Sequence, residues 1–340
     1  MSAFVDDVGS FPLSPEIDRK SFEKAYALAR KSMARGKEME SDQFLQRNFY
    51  RVIVDSFVKK AQTGLDVVNY PQHYDMQRQL GDMLREAMAR GTYLIDEKQA
   101  FLPEVNVIKQ EAKRLYEQLG KKVQLRVCIL GPMEFYLREI GTAAYRDVLM
   151  MFAENVKRFA ENSILDSKYM KTAVVSLDEP SFGFREISAE RDILMDALEK
   201  AFDFKGAVRQ IHLHSPSRMS DILEVKNVDV LSFEYAASPK NIDGVSRSLL
   251  DQADKQIRVG ISRTDIDSIM AELYDKGVAK PRVEQIAEDE ATIRKRFKTA
   301  KEKYGERMTY TGPDCGLGGW PTQEAALLLL KRTVDVVRNA

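Results

Sequence analysis

The chain has 340 residues, of which 44% are hydrophobic and 31% charged, a composition typical of a globular protein with a sizeable core. Its 52 basic and 52 acidic residues give zero formal net charge, which argues against nucleic acid as a partner because nothing attracts a polyanion over long range. No apolar run approaches the roughly 20 residues that cross a bilayer, and residues 1–12 lack the pattern of a signal peptide. We therefore expect a cytoplasmic protein with no membrane partner, in which Cys128 and Cys315 are reduced thiols.

Eight short runs of apolar and β-branched residues recur along the chain and predict β-strands. In chain order they cover residues 6–10, 66–69, 124–130, 173–177, 208–213, 228–233, 258–261 and 308–312. Amphipathic segments typical of helices lie between them. This alternation predicts one α/β domain over residues 1–340, a (β/α)8 TIM barrel with an extra helical segment at about 14–63. A doubly wound open sheet has the same local pattern and is the main alternative.

The unusual polar clusters of the sequence follow the predicted strands. In a barrel the catalytic groups lie just past the carboxyl ends of the strands. The clusters at such positions are Gly9-Ser10-Phe11-Pro12, residues 69–75, Gly131-Pro132, Asp178-Glu179-Pro180, His212-Leu213-His214, Glu234 and Pro313-Asp314-Cys315-Gly316. We therefore expect these loops to form one site.

Four of these residues suit a metal ion. His212 and His214, two of only three histidines, lie two positions apart at a strand end, so both rings face the same side of the sheet. Glu234 ends the next strand, and Cys315 follows the last one. Two nitrogens, a carboxylate oxygen and a thiolate suit Zn²⁺ and disfavour Mg²⁺ and Ca²⁺. Each residue alone also fits an ordinary role in packing or at the surface.

Five short motifs occur in a fixed order along the chain. They are Gly9-Ser10-Phe11-Pro12, Gly64-Leu65-Asp66, Asp178-Glu179-Pro180, Pro313-Asp314-Cys315-Gly316 and Gly319-Trp320-Pro321. In this order and spacing the sequence resembles the catalytic domain of cobalamin-independent methionine synthase, in its short single-barrel form. The resemblance runs from Gly9 to about Val336.

The resemblance implies a zinc site made of a His-x-Cys pair, a glutamate one strand later and the cysteine of the PDCG motif. His212, Glu234 and Cys315 then match family ligands, and His214 stands where the family has a cysteine. A second register places His214 at the family histidine and Pro216 opposite the cysteine. The first is preferred because it supplies four ligands. With imidazole in place of a thiolate the zinc carries one negative charge less, so it should be more Lewis acidic.

The activity implied by the resemblance is zinc-dependent methyl transfer to a thiol, with homocysteine as the first choice and methionine as the product. Asp178 is expected to hold the substrate ammonium and, with Glu234, to take part in catalysis. Further substrate contacts are expected from Ser10, Gln72 and Trp320.

The identities of the thiol substrate and of the methyl donor remain open. The family has an acidic residue in the second loop, where this chain has Tyr70, Pro71 or Gln72. Another thiol such as coenzyme M is therefore an alternative, with Arg185 or Arg263 near its sulfonate. The expected methyl donor is a corrinoid protein or a methyl-pterin, and the corrinoid is preferred.

Two other classes of function fit the same residues. One is a zinc hydrolase with Asp178 or Glu179 as the base, which a cysteine ligand and the lack of an HExxH motif disfavour. The other is a non-catalytic homologue that binds a metal or a corrinoid. The two departures from the family pattern, in the second loop and at His214, keep this alternative open.

Overall fold

A computed structural model describes residues 3–36, 41–185 and 187–340. The strands are β1 (Phe4–Val5), β2 (Val68–Asn69), β3 (Val123–Leu130), β4 (Met170–Asp178), β5 (Val208–Leu213), β6 (Val230–Phe233), β7 (Gln256–Ser262) and β8 (Met308–Pro313). The α-helices are α1 (Arg19–Ala34), α2 (Gln43–Leu45), α3 (Arg51–Gln62), α4 (Met76–Met88), α5 (Pro103–Gln110), α6 (Ala112–Leu119), α7 (Pro132–Glu139), α8 (Arg146–Ser163), α9 (Arg191–Ala201), α10 (Met219–Glu224), α11 (Arg247–Ala253), α12 (Ile266–Asp275), α13 (Val283–Ile286), α14 (Glu290–Tyr304) and α15 (Gln323–Arg338). A π-helical turn, Gln46–Tyr50, joins α2 to α3, and 3-10 turns cover Glu97–Gln99, Pro239–Gly244 and Gly305–Arg307.

The eight strands form one parallel sheet in the order β1-β8-β7-β6-β5-β4-β3-β2. A parallel bridge between Asp6 and Val67 joins the two ends of this sheet. There the backbone N–H groups of Asp66 and Val67 donate to the carbonyl oxygen of Val5 at 2.9 and 3.2 Å. The predicted (β/α)8 barrel is confirmed, and the open-sheet alternative is wrong.

The first strand lies earlier than predicted. The ladder covers Phe4–Val5 instead of residues 6–10. Asp7 leaves the strand pairing because its carboxylate accepts from Asn69 N at 2.9 Å and pairs with the buried Lys60 Nζ at 2.6 Å. Gly9 follows with φ 151°, a value that favours glycine. The chain therefore turns into the rim of the barrel where a strand was predicted at residues 6–10.

The inside of the barrel has an apolar layer and a polar one. Alternate strands bring Val67, Val174, Val230 and Tyr310 together. The intervening strands contribute Asp6, Arg126, Gln210 and Arg258, all fully buried. Both oxygens of Asp6 accept from these arginines at 2.6 Å. Gln210 precedes His212 by two residues on β5, so the polar layer lies on the same face as the histidine and below the carboxyl ends of the strands.

The helices pack around this barrel in a single large apolar core. Most of them are amphipathic, and their buried residues recur at the helical period that places one stripe against the sheet. Throughout the described ranges, no helix combines the length and the apolar character that crossing a membrane requires.

Candidate metal centre

The side chain of His212 lies inside the barrel at the end of β5. Its Nδ1 is 3.1 Å from Ser232 Oγ on the neighbouring strand. Its Nε2 is buried and has no hydrogen-bond partner among the described residues. Burial lowers the pKa of His212 well below its usual value, with a further effect from the positive charges nearby. His212 is therefore a neutral imidazole with one open nitrogen, the form that binds a metal.

His214 continues from the same strand, and its Nε2 lies between two other predicted ligands. Glu234 Oε1 is 3.5 Å away and Cys315 Sγ is 3.7 Å away. The ligand atoms of His212, His214, Glu234 and Cys315 all lie within 4.8 Å of one another. Separations of roughly 3.5 Å are those expected for the corners of a tetrahedron with zinc–ligand bonds of about 2.0–2.3 Å. The donor set and the two separations at His214 therefore fit Zn²⁺.

The charges of the cluster also favour a cation. Burial raises the pKa of Glu234 to about 8, and the nearby carboxylates of Asp314 and Asp265 add to the effect. Burial and the charge of Glu234 raise the pKa of the Cys315 thiol well above its usual range. A carboxylate and a thiolate at this spacing repel each other, and a divalent cation would stabilise both charged forms.

Asn241 holds the two loops that carry His214 and Glu234. Its Nδ2 donates to the carbonyl oxygens of both residues, at 2.8 and 2.9 Å. Asn241 could not be recognised from the sequence because it lies in a 3-10 turn without a motif. Its amide fixes the spacing of two candidate ligands without being one of them.

The loop that carries Cys315 is held in a similar way. The hydroxyl of Thr264 accepts from Cys315 N at 3.1 Å. The buried carboxylate of Asp314 accepts from three successive backbone N–H groups, those of residues 235 to 237, at 2.6 to 3.0 Å. Asp314 thus joins the loop after β8 to the loop after β6. In the sequence Asp314 is visible only as part of the PDCG motif, without a sign of this role, and no motif marks Thr264.

Asp178 and Glu179 have different surroundings although they are neighbours. Asp178 is in register with His212, and its Oδ1 accepts from Ser176 Oγ at 2.8 Å. Burial raises the pKa of Asp178 to about 6, against the opposite effect of Arg126. Glu179 accepts from Met133 N and Glu134 N at 2.8 and 2.7 Å. Glu179 therefore caps helix α7, whereas Asp178 lies beside the candidate ligand His212.

The residues predicted to contact substrate lie at the same rim but differ in access. Ser10 joins the first loop to the last one, because its hydroxyl accepts from Gly318 N at 3.1 Å and its carbonyl from Leu317 N at 2.6 Å. Trp320 is only 4% exposed, and its indole N–H donates to the carbonyl oxygen of Thr264 at 3.1 Å. Gln72 lines a cavity of about 420 Å³ that Ser10 and Gly318 also line.

The two arginines that were expected near a sulfonate have different surroundings. Arg263 makes ion pairs with Asp265 and Glu272, each at 2.8 Å. Arg185 lies beside Glu179 and Phe182, on the wall of a small space next to helix α7. Neither arginine is among the residues that line the cavity at Gln72.

Comparison of the sequence with protein-family models and with curated proteins gave no match. The fold is similar to that of a B12-independent methionine synthase from Shewanella sp. W3-18-1, solved in complex with selenomethionine. The TM-score is 0.59 at 14% identity, over 100% of this chain and 98% of that one. The homocysteine methyltransferase MmuM from Escherichia coli, in its apo form, aligns with a TM-score of 0.48 at 10% identity, over 98% and 96% of the two chains. Identities this low show a shared barrel fold.

Proposed function

We propose that this protein is a zinc-dependent thiol methyltransferase of the cobalamin-independent methionine synthase type, with homocysteine as its thiol substrate. The proposal depends above all on four side chains, His212, His214, Glu234 and Cys315, whose ligand atoms lie within 4.8 Å at the carboxyl ends of the strands. The five motifs and the fold shared with the Shewanella methionine synthase support it.

The chemistry requires a thiolate, because a free thiol has a pKa near 8.5 and is mostly protonated at neutral pH. Bound Zn²⁺ would supply a Lewis acid that favours the thiolate of the substrate. His212, His214, Glu234 and Cys315 would hold that ion. Asp178 would bind the substrate ammonium beside it, because its carboxylate lies next to His212 and does not cap a helix.

The transfer itself is a nucleophilic displacement at the methyl carbon of the donor. The sulfur forms a bond to that carbon, the bond between carbon and donor breaks, and the donor keeps the electron pair. A corrinoid protein carrying a methyl group or a methyl-pterin would supply the methyl group, and we favour the corrinoid. The thiol proton passes to water before or during thiol binding, so that the sulfur attacks as a thiolate.

The hydrolase alternative has less support. One of its two candidate bases, Glu179, is engaged by two backbone N–H groups at the start of α7. The cluster also includes a thiol, whereas catalytic zinc sites of hydrolases are usually built from histidines and carboxylates.

A single activity screen tests the proposal. The zinc-loaded protein is incubated with homocysteine or coenzyme M, each combined with methylcobalamin or a methyl-pterin, and the methylated thiol is measured. We expect methionine from homocysteine with one of the donors, and no product after removal of zinc. Methylation of coenzyme M alone would reject homocysteine but keep the thiol methyltransferase. If the zinc-loaded protein methylates neither thiol, the proposal is wrong.

A further inference from the structure

The side chain of Asp314 extends across a neighbouring strand. Asp314 directly follows β8, whereas the three N–H groups that its carboxylate binds belong to residues 235–237, just after β6. Strand β7 lies between β6 and β8 in the sheet. Neighbouring strands are roughly 4.8 Å apart, so the ends of β6 and β8 are about 10 Å apart. A side chain as short as aspartate makes this contact only if β7 leaves space for it.

Gly260 on β7 provides this space. A Cβ at Gly260 would lie 2.2 Å from Asp314 Oδ1 and 2.7 Å from Asp314 Cα, closer than non-bonded atoms approach. Gly260 is in register with Gly312 of β8. The register then shifts, so that Ser262 is opposite Pro313. An irregularity of this kind changes the direction of the side chains that follow it, and here Asp314 follows it.

The carboxylate of Asp314 and the groups that it binds form a buried anchor. Asp314 is fully buried, and Tyr235 and Ala236 are 8% and 3% exposed. Oδ1 accepts from Tyr235 N and Ala236 N at 3.0 and 2.9 Å, and Oδ2 accepts from Ala237 N at 2.6 Å. Successive backbone N–H groups suit an anion, and hydrogen bonds to an ionised acceptor are about twice as strong as neutral ones. All atoms of this anchor belong to the protein, so it does not depend on a metal ion.

The anchor fixes the position of Glu234 relative to Cys315. On one side of Glu234, its carbonyl oxygen accepts from Asn241 Nδ2 at 2.9 Å. On the other side, the next N–H along the chain is the first that Asp314 binds. Asp314 is itself the direct neighbour of Cys315. The side chains of Glu234 and Cys315 lie 3.5 and 3.7 Å from His214 Nε2, so a shift of either loop would change the shape of the cluster.

We propose that Asp314 is a positioning residue of the metal centre, which sets the separation of Glu234 and Cys315 before a metal binds, and that Gly260 makes this contact possible. The inference rests on the metal centre of the proposed function and goes beyond the ligand set. A cluster that is held in shape by the protein binds its ion more tightly, because the ion does not have to order two loops.

Two variants disturb the anchor in different ways. Asp314→Asn keeps the size of the side chain, removes its charge and turns one accepting oxygen into a donor. Gly260→Ala keeps the carboxylate and its charge but forces it to move. The control is Glu104→Gln, because Glu104 is also fully buried and accepts from two successive N–H groups, those of residues 73 and 74, in a loop that carries none of the four candidate ligands.

Three measurements are made on each protein: the Zn²⁺ affinity by competition with a chelator, the d–d absorption of the Co²⁺-loaded form, and Tm. We expect Asp314→Asn and Gly260→Ala each to bind Zn²⁺ about 10- to 100-fold more weakly, as after other losses of an outer contact. Their d–d bands should also lose intensity as the tetrahedral geometry is distorted. Glu104→Gln should lower Tm but keep the affinity and the cobalt spectrum of the wild type.

A measurement on the wild-type protein does not depend on the folding of any variant. In the metal-free protein the amide hydrogens of residues 235–237 should exchange slowly, because Asp314 binds them without the metal. Hydrogen exchange followed by mass spectrometry, on peptides that cover these residues, reports this protection. Fast exchange that becomes slow only after zinc is added would contradict an anchor that exists before metal binding.

The outcomes separate the inference from the proposed function. If Gly260→Ala keeps the affinity and the cobalt spectrum of the wild type while Asp314→Asn loses them, Asp314 acts through its charge and the positioning role is wrong. An equal loss in Glu104→Gln would also reject a specific role. Both results leave the metal centre standing. If the wild-type protein binds neither Zn²⁺ nor Co²⁺ at this cluster, the proposed function fails together with the inference.

Discussion

Ser232 Oγ lies 3.1 Å from Nδ1 of His212, across two neighbouring strands that are in register at these two residues. The contact occupies one ring nitrogen and leaves Nε2 as the only nitrogen of His212 that can bind a metal. Contacts of this kind fix the tautomer and the orientation of a ligating imidazole. Ser232 therefore orients the candidate ligand His212 without being a ligand itself.

Ser232→Ala should weaken metal binding while the protein stays folded. Loss of an outer contact to a ligating histidine typically costs about 10- to 100-fold in metal affinity, because the ring is free to rotate. Competition with a chromogenic chelator measures the Zn²⁺ affinity. Ser248→Ala, on the exposed side of α11, is the control and should bind like wild type. An unchanged affinity in Ser232→Ala would show that the hydroxyl does not orient His212.

The two cysteines offer a matched pair of substitutions. Cys315→Ser should lose most of the bound Zn²⁺, and its Co²⁺-loaded form should lack the sulfur-to-cobalt band, because a hydroxyl is a poor substitute for a thiolate ligand. Cys128→Ser should keep both, since Cys128 is buried on β3 and its Sγ contacts the carbonyl oxygen of Val8. Metal content by atomic absorption gives the answer. Full zinc stoichiometry in Cys315→Ser would exclude Cys315 as a ligand.

His214→Cys tests the departure from the family pattern. The added thiolate should keep the zinc and place one more negative charge on it, which makes the ion a weaker Lewis acid. A bound substrate thiol then loses its proton at higher pH. We expect the rise of activity with pH to shift upward relative to wild type, and His214→Ala to lose metal. If His214→Cys cannot bind zinc, or its profile does not move, His214 is not the residue in the ligand position.

Asp178→Asn should separate substrates by their amino group. If Asp178 pairs with the ammonium, loss of this charge-assisted hydrogen bond should cost roughly 2–3 kcal/mol of binding free energy. The KM for homocysteine should then rise about 30- to 150-fold. The KM for 4-mercaptobutyrate, which has no amine, should hardly change. Steady-state kinetics with both thiols decides the matter. Equal losses for the two thiols would contradict ammonium recognition and point to a role in folding or in the chemical step.

His73 should contribute to acid unfolding. Its Nδ1 lies 2.9 Å from the carbonyl oxygen of Phe11 and its Nε2 lies 2.9 Å from Ser56 Oγ, so both nitrogens are paired in the neutral ring. Burial lowers the pKa of His73 to about 3 from a usual 6.5. A depressed pKa contributes stability that is present above about pH 6.5 and is lost as the pH falls toward 3, because the unfolded chain takes up the proton first.

The measurement for His73 is the free energy of unfolding in urea at several pH values between 4 and 6. Wild type should lose stability faster than His73→Gln as the pH falls, by up to about 1.4 kcal/mol per pH unit, the contribution of one proton. Other titrating groups are shared by the two proteins and cancel in the difference. Parallel curves would mean that His73 is protonated in the folded protein.

Much of the barrel follows from local pattern. The runs at 124–130, 208–213 and 308–312 match β3, β5 and β8 within one residue, because short stretches rich in apolar and β-branched residues between helical segments indicate buried strands. The first strand was misplaced because Asp7 and Gly9 resemble a strand end, yet long-range contacts to Lys60 and Asn69 take them out of the sheet. The hydrophobic periodicity of a local segment contains no information about such long-range contacts.

The sequence alone determined which residue types could bind a metal and at which strand ends they stand, since His212, His214, Glu234 and Cys315 are rare chemical groups at positions set by alternation of strands and helices. Only the tertiary structure decided their separation, because Glu234 and Cys315 are 81 positions apart and the pairing of β6 and β8 with β7 brings their strand ends to the same rim. The tertiary structure alone also revealed the supporting roles of Ser232, Asn241 and Thr264 and the left-handed backbone of Gln72. These features depend on distances between loops, and periodicity carries information only about neighbours along the chain.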